Sequence, residues 1–315
     1  MIQQVHSVGF TVSDMEQALA FYTGVLPFQL ENDVEVYGEP YERLTGVFGA
    51  RMRVVTLALG TEKIQLTQYI APPGGRPIPA DSRSNDLWFQ HIAIVVSDMD
   101  AAYAILRENN VQHVSTAPQT LPDYIEAAAG VKAFYFRDPD GHNLELIWFP
   151  EGKGNPRWQN GNALFMGIDH TAIAVTDTDY SLRAYAHEDG FLNLAVAGES
   201  LNYGTEQEHL NGVFGCRVRI TGLTPPEGIG VEFLDYLAPP GGHYPEEDAM
   251  ANDLWYWEIT MVTNDIESMF SELIAPLDQL VSSGIVTLPD QNPLGYQRAF
   301  IFRDRDGHAI KVISV

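Results

Sequence analysis

The sequence has few basic residues, one cysteine and no long apolar run, and each shortage excludes a class of protein. Its 315 residues include 18 Lys and Arg against 42 Asp and Glu, a net charge of −24. Because nucleic-acid affinity comes largely from basic side chains that neutralise phosphates, no nucleic-acid partner is expected. With Cys216 alone, neither an internal disulfide nor a cysteine zinc cluster can form. The chain lacks the ~20 consecutive apolar residues of a membrane span and a signal-peptide pattern, which predicts a cytoplasmic protein with no membrane partner.

What the sequence does have is an internal repeat. Four segments of the first half return in the second half at an offset of 166 or 167 residues, namely 44–54 at 210–220, 69–75 at 236–242, 84–98 at 251–265, and 134–146 at 300–312. The second half is therefore a diverged copy of the first.

A finer repeat lies within each half, because four short apolar strands each end at an aspartate that precedes a helical pattern. These four anchor aspartates are Asp14, Asp98, Asp177 and Asp265. An aspartate in this position is typical of a helix N-cap. Strand-like runs follow each helix, separated by Gly, Pro and Asp turns such as DPDG at 138–141. The unit is thus predicted to be β-α-β-β-β, repeated four times.

These repeats predict the domain boundaries. Residues 1–149 hold the first pair of modules (1–71 and 85–149), residues 150–165 form a linker, and residues 166–315 hold the diverged pair (166–238 and 252–315).

The FYFRDPDGHNLEL run at 134–146, within this repeated unit, resembles the vicinal oxygen chelate superfamily of glyoxalases, antibiotic-resistance proteins such as the bleomycin resistance protein, and extradiol dioxygenases. The resemblance covers nearly the whole chain. It implies an α+β fold in which four βαβββ modules form two curved mixed β-sheets. It also implies that two modules surround a metal, and that each can offer one ligand early in its first strand and another near the end of its last strand.

The first-strand ligands can be located by counting back from the anchor aspartates. Seven residues before them stand, in chain order, Ser7, His91, His170 and Glu258. In the first module this position is Ser7 and not the neighbouring His6. Since strand side chains alternate between faces, His6 is expected on the opposite, packed face unless a β-bulge shifts it.

The last-strand positions are, in chain order, Gln65, Glu145, Glu232 and Lys311. A protonated lysine cannot bind a metal. Complete His/Glu pairs therefore occur in modules two and three only, and modules one and four have lost theirs.

Two ways of pairing the modules remain open. Sequential pairing, one with two and three with four, builds two incomplete sites. Crossed pairing, two with three and one with four, builds one complete site from His91, Glu145, His170 and Glu232. Crossed pairing is favoured because it explains all four losses at once, and it resembles a fused glyoxalase dimer. Glu258 and Lys311 could then form a salt bridge in the lost site.

Two imidazoles and two carboxylates suit one divalent ion such as Zn, Ni, Mn, Fe or Co. The resemblance then implies a glyoxalase-like isomerase or lyase acting on a small oxygenated molecule, with Glu145 or Glu232 as the base.

Two alternatives stay open. Tyr135 matches the end of the extradiol dioxygenase signature and is a candidate catalytic residue, although no histidine occurs in the segment just before it, at 125–134. The lost ligands of the outer modules would also fit a non-catalytic protein that sequesters a small molecule. The chain is expected to be a monomer or a homodimer.

Overall fold

A computed structural model describes residues 1–186, 192–239, 242–274 and 279–314. Pro240 and Gly241, within the second copy of the APPGG segment, and Val315 at the end of the predicted second half lie outside these residues. No helix in the described ranges is long and apolar enough to cross a membrane.

The elements repeat in the predicted order. The strands are β1 (Ile2–Thr11), β2 (Gln29–Tyr37), β3 (Arg51–Leu59), β4 (Glu62–Ala71), β5 (Gln90–Val96), β6 (Gln112–His113), β7 (Gln119–Thr120), β8 (Lys132–Arg137), β9 (Asn143–Trp148), β10 (Phe165–Val175), β11 (Ala195–Tyr203), β12 (Arg217–Thr224), β13 (Gly230–Ala238), β14 (Trp257–Thr263), β15 (Val286–Thr287), β16 (Arg298–Arg303) and β17 (Ala309–Ser314). The α-helices are α1 (Met15–Leu19), α2 (Glu39–Thr45), α3 (Met99–Glu108), α4 (Thr178–Tyr185), α5 (Thr205–Asn211) and α6 (Ile266–Ile274). A π-helical turn (Ala20–Val25) continues α1, and a 3₁₀ turn spans Pro156–Trp158.

The strands form two mixed sheets, as the α+β prediction requires. The first has the order β15-β16-β17-β14-β1-β4-β3-β2, and the second has the order β11-β12-β13-β10-β5-β9-β8-β6, with β7 also paired to β8. Modules one and four meet where β1 runs antiparallel to β14. Modules two and three meet where β5 runs antiparallel to β10. The structure therefore has the crossed pairing, and each sheet takes one module from each half of the chain.

The two sheets also contact each other through the turns that follow the repeated FRD segments. Asp138 accepts a hydrogen bond from Tyr22 at 3.0 Å, and Asp304 accepts one from Tyr185 at 2.9 Å. Both tyrosines are fully buried. A turn of one sheet thus holds the first helix of a module in the other sheet.

The anchor aspartates cap the helices as predicted. Asp14, Asp98 and Asp177 each have extended backbone and accept a hydrogen bond from the amide three residues later. Asp265 accepts the same bond from Ser268 at 3.0 Å.

Replacing Asp98 by alanine should lower the free energy of unfolding by ~1 kcal/mol, because the Ala101 amide loses its acceptor. Urea denaturation measures the change. Asp100→Ala is the matched control, since this neighbouring acid lies in the first turn of α3 and does not cap it. An equal loss in both variants would show that surface charge, and not the cap, matters.

Candidate metal centre

The four predicted ligands lie on the four adjacent central strands of the second sheet, β13-β10-β5-β9. In the strand register Ala172 is paired with both His91 and Glu232, and Ala93 is paired with both His170 and Glu145. Paired residues of neighbouring strands share a face, so all four side chains project from the same side of the sheet. The two small alanines between them leave room for the larger groups to converge.

The polar ends of these side chains do meet. Glu145 Oε2 lies 3.0 Å from His91 Nε2 and 3.7 Å from His170 Nε2. Ligand atoms of His91, Glu145 and His170 all lie within 4.8 Å of one another. Glu232 Oε1 is 3.5 Å from His170 Nε2, at the side of this group. Residues far apart in the sequence thus form one cluster of nitrogen and oxygen donors.

The hydrogen bonding of this cluster fits a cation at its centre. His91 is completely buried, yet neither of its ring nitrogens has a hydrogen-bond partner among the described residues, and neither does His170 Nε2. Although His91 Nε2 and Glu145 Oε2 are only 3.0 Å apart, they are not aligned as donor and acceptor. Buried polar atoms are normally paired. Two imidazole nitrogens and a carboxylate within 4.8 Å of one another are a donor set that suits a divalent ion.

Behind the cluster, a pair of residues that the sequence analysis missed fixes the ring of His170. Its Nδ1 lies 3.0 Å from Asp169 Oδ2, and Trp158 Nε1 donates to Asp169 Oδ1 at 2.5 Å. A carboxylate on Nδ1 orients the ring and leaves Nε2 for a metal. Trp158 lies in the predicted linker, and no local sequence pattern indicates this long-range contact.

The charges of the cluster also favour a cation. Burial lowers the pKa of His91, so this ring stays neutral as a ligand must. Burial disfavours a charged His170 too, but Glu232, Asp169 and Glu145 outweigh it and raise the pKa of His170 to about 10. Burial raises the pKa of Glu232 to about 7, against the opposing effect of His170. The carboxylates therefore hold positive charge at this point of the sheet.

Tyr135 lies beside the cluster. It is opposite Glu145 in the β8/β9 pair, and its ring centre is 4.9 Å from that of His91. Burial, with Glu145 nearby, keeps its pKa well above the usual value. Its phenol is thus protonated, and its ring packs against a candidate ligand.

A cavity of about 350 Å³ opens next to the cluster. Glu145, His170, Glu232 and Tyr135 line it, together with residues of β11, β12 and α5. This volume is at the lower end of the range for small-molecule pockets.

The matching positions of the first sheet hold the predicted salt bridge. Lys311 Nζ donates to Glu258 and, at 3.0 Å, to Gln65 Oε1. Lys311 and Glu258 are both buried, so an ammonium group takes the place of a metal ion there.

The register also distinguishes Ser7 from His6. In the first sheet Ser7 of β1 pairs with Lys63 of β4, and in the second sheet His170 of β10 pairs with Gly230 of β13. The two pairs are equivalent, so Ser7 stands at the ligand position. The ring of His6 lies off this position, and its Nδ1 is 3.1 Å from the Ser7 hydroxyl.

Comparison with known proteins agrees with this geometry. The family model described as Glyoxalase/Bleomycin resistance protein/Dioxygenase superfamily matches residues 4–146. The 2-epi-5-epi-valiolone epimerase of Actinomyces sp is 36% identical over 152 residues, which cover 47% of this chain and 80% of that protein. The metallothiol transferase FosB of Staphylococcus saprophyticus is 27% identical over 146 residues, covering 46% of this chain and 77% of that protein.

Among solved structures, glyoxalase I from Zea mays matches with a TM-score of 0.62 at 14% identity. The match covers 99% of this chain and 92% of that one. At this identity the likeness concerns the fold alone.

Proposed function

Since this chain belongs to the Glyoxalase/Bleomycin resistance protein/Dioxygenase superfamily, we propose that it is a metal-dependent isomerase or lyase of the glyoxalase type acting on a small oxygenated molecule. The observation that carries the proposal is the buried cluster of His91, Glu145 and His170, with Glu232 at its side, beside an open cavity. The relatives named as an epimerase and a metallothiol transferase support an enzyme generally.

We assign His91, Glu145 and His170 to hold one divalent ion, with Glu232 as a further ligand. When bound, the ion supplies Lewis-acid polarisation of the substrate oxygens. Asp169 binds Nδ1 of His170 and so would leave Nε2 for the ion, and Tyr135 packs against the His91 ring.

We propose Glu232 as the base, because the two glutamates differ in their surroundings and exposure. Glu145 lies near both histidines, and its side chain is 6% exposed. Both glutamates line the cavity, but Glu232 approaches His170 alone and its side chain is 22% exposed. This greater exposure supports Glu232 as the residue that reaches a substrate. In this proposal its carboxylate takes a proton from the carbon next to a carbonyl and returns it at the same or the neighbouring carbon, so no co-reactant is needed.

Proton exchange tests this proposal. The metal-loaded protein is incubated in D₂O with a panel that includes 2-epi-5-epi-valiolone and the hemithioacetal of glutathione, and NMR follows the proton next to the carbonyl. Loss of that proton signal with one member of the panel, and none after metal removal, is the expected result. Oxygen uptake with catechols in place of exchange would favour the dioxygenase. Binding without exchange or oxygen uptake would favour a sequestering protein.

Replacing Glu232 by glutamine should lower kcat for this exchange by about 10²–10⁴-fold, because the amide cannot accept the proton. Elemental mass spectrometry should find the metal still present, since His91, Glu145 and His170 remain. Glu145→Gln is the comparison, and it should lose metal as well as activity. Equal loss of metal in both variants would contradict the different roles given to the two glutamates.

A further inference from the structure

A chain of hydrogen-bonded side chains forms one wall of the cavity beside the candidate metal centre. It runs from Ser200 through Asn202, Gln207 and Asn211 to Tyr236, with donor–acceptor distances of 2.8, 3.0, 2.8 and 2.7 Å. These five residues are called the amide wall below. Its three amides are buried, and Ser200, Asn202 and Gln207 line the cavity.

The amides of the amide wall have N–H groups that their mutual hydrogen bonds do not use. Asn202 donates to Gln207 Oε1, and Gln207 donates to Asn211 Oδ1, so each bond fixes the orientation of the next amide. Each amide nitrogen has two hydrogens, and these bonds use one. Asn202 and Gln207, which both line the cavity, thus each keep a second N–H that these bonds do not use. Because a buried donor without a partner costs free energy, a ligand that carries hydroxyl acceptors is favoured there.

Two glycines keep the cavity open between Glu232 and the amide wall. Glu232 of β13, Gly222 of β12 and Gly198 of β11 are paired side by side across the sheet. A Cβ atom added at Gly198 would meet nothing within 4 Å, and one at Gly222 would have its nearest neighbours at 3.9 and 4.0 Å. Larger side chains at these positions would therefore fill space that a substrate needs.

The first half of the chain supplies an internal comparison. The positions that match the two glycines hold Asn32 and Thr56, and those that match Asn202, Gln207 and Asn211 hold Val36, Tyr41 and Thr45. The cavity in that sheet, beside Lys311, is only about 40 Å³. The amide wall and the glycines are thus not required by the fold. They occur in the half that contributes His170 and Glu232.

The charge of the cavity restricts its ligand further. Its lining includes four carboxylates, Glu145, Asp169, Glu199 and Glu232. Of the described lining residues only Lys153 is a lysine or arginine, and its ammonium donates to the Glu126 carbonyl at 2.6 Å. Apart from Lys153, which is bonded to backbone carbonyls, the described lining thus has no lysine or arginine to pair with an anionic group, and this favours an uncharged ligand. Leu121, Val131 and Ile147 supply an apolar side that suits the carbon face of a ring.

We infer that the amide wall binds the hydroxyl groups of an uncharged polyhydroxylated ring compound of about monosaccharide size, and that Asn202 and Gln207 determine this specificity. The inference rests on the proposed function only in that the same molecule carries the carbonyl on which Glu232 acts. It concerns binding, so it can be tested without turnover.

Calorimetric titration of the metal-loaded protein with three probes tests the inference. The probes are scyllo-inosose, a neutral pentahydroxy ring ketone, 2-hydroxycyclohexanone, which has one hydroxyl group, and anionic S-lactoylglutathione. Wild type should bind scyllo-inosose about tenfold or more tightly than 2-hydroxycyclohexanone, and S-lactoylglutathione weakly. Gln207→Leu should reduce the ratio of the first two affinities about tenfold. Tyr41→Phe, at the matching position of the other sheet, should leave that ratio unchanged.

A second variant keeps the inference testable if Gln207→Leu does not fold. Gly222→Thr introduces the residue found at the matching position 56 and should weaken scyllo-inosose binding while the metal content stays that of wild type. Equal affinity of wild type for scyllo-inosose and 2-hydroxycyclohexanone would overturn the inference, even if proton exchange occurs with another substrate. A preference for scyllo-inosose that is lost in Gln207→Leu would support the inference, even if no probe undergoes exchange.

Discussion

Replacing His91 by alanine is expected to reduce bound metal from about one ion per chain to almost none, and activity with it. His170→Ala should have the same effect, because the ring nitrogens of both residues meet Glu145 in one cluster. Losing an outer-shell partner costs about 10–100-fold in metal affinity, so losing a direct ligand should cost more. Elemental mass spectrometry of the purified, metal-reloaded variants measures the effect. Since the two histidines belong to different halves of the chain, equal losses would place one site between modules two and three.

His6→Ala is the control for these variants. Its ring lies next to the equivalent position of the first sheet, where Ser7 stands, and outside the cluster. It should therefore keep the metal content of wild type. Metal lost with His91 but retained in His170→Ala would contradict a site shared by both modules.

The second large effect is expected at the lost site of the first sheet. Lys311→Met leaves the Glu258 carboxylate buried without its ammonium partner. Breaking a buried ion pair from one side typically costs about 3–5 kcal/mol. The free energy of unfolding, measured with urea, should fall by about that amount. The metal content should not change, because His91, Glu145, His170 and Glu232 all lie in the other sheet.

A double variant distinguishes the loss of the ion pair from the effect of the methionine side chain itself. Lys311→Met with Glu258→Leu should regain most of the lost stability, since replacing both partners by apolar residues is often neutral. Lys63→Met is the surface comparison, because Lys63 pairs with Glu31 at 2.7 Å where both side chains are partly exposed. It should cost less than 1 kcal/mol. A loss below 1 kcal/mol in Lys311→Met would show that the buried pair does not support the fold.

The candidate ligands could be predicted because side chains alternate between the two faces of a strand. The number of residues between a position and the helix cap therefore determines the face on which that position lies. Counting back from a helix cap selected His91 and His170, and it rejected His6 in favour of Ser7. The same count located Glu258, and the last-strand position located Lys311, to which Glu258 is joined in the structure. Chemistry favoured the crossed pairing over the sequential one, since only the crossed arrangement brings both His/Glu pairs together, and the strand order was needed to decide between them. Local patterns sufficed for these predictions because the repeat supplied four copies to compare.

The remaining parts of the site depend on contacts that no local pattern encodes. Trp158 reaches Asp169 from a turn that reads as a linker. The amide wall joins residues of β11, α5 and β13, and its role depends on which side of the sheet the cavity opens. The difference between Glu145 and Glu232 is one of exposure, which identical residue types cannot reveal.

The central claim, one metal site built by modules from both halves, is tested most directly by anomalous diffraction from a crystal of the protein loaded with Zn, Ni, Co, Mn or Fe. The account predicts a single strong anomalous peak in contact with His91, Glu145 and His170, and none beside Glu258 and Lys311. A peak in the first sheet, or no peak at the His91 cluster after loading, would contradict it.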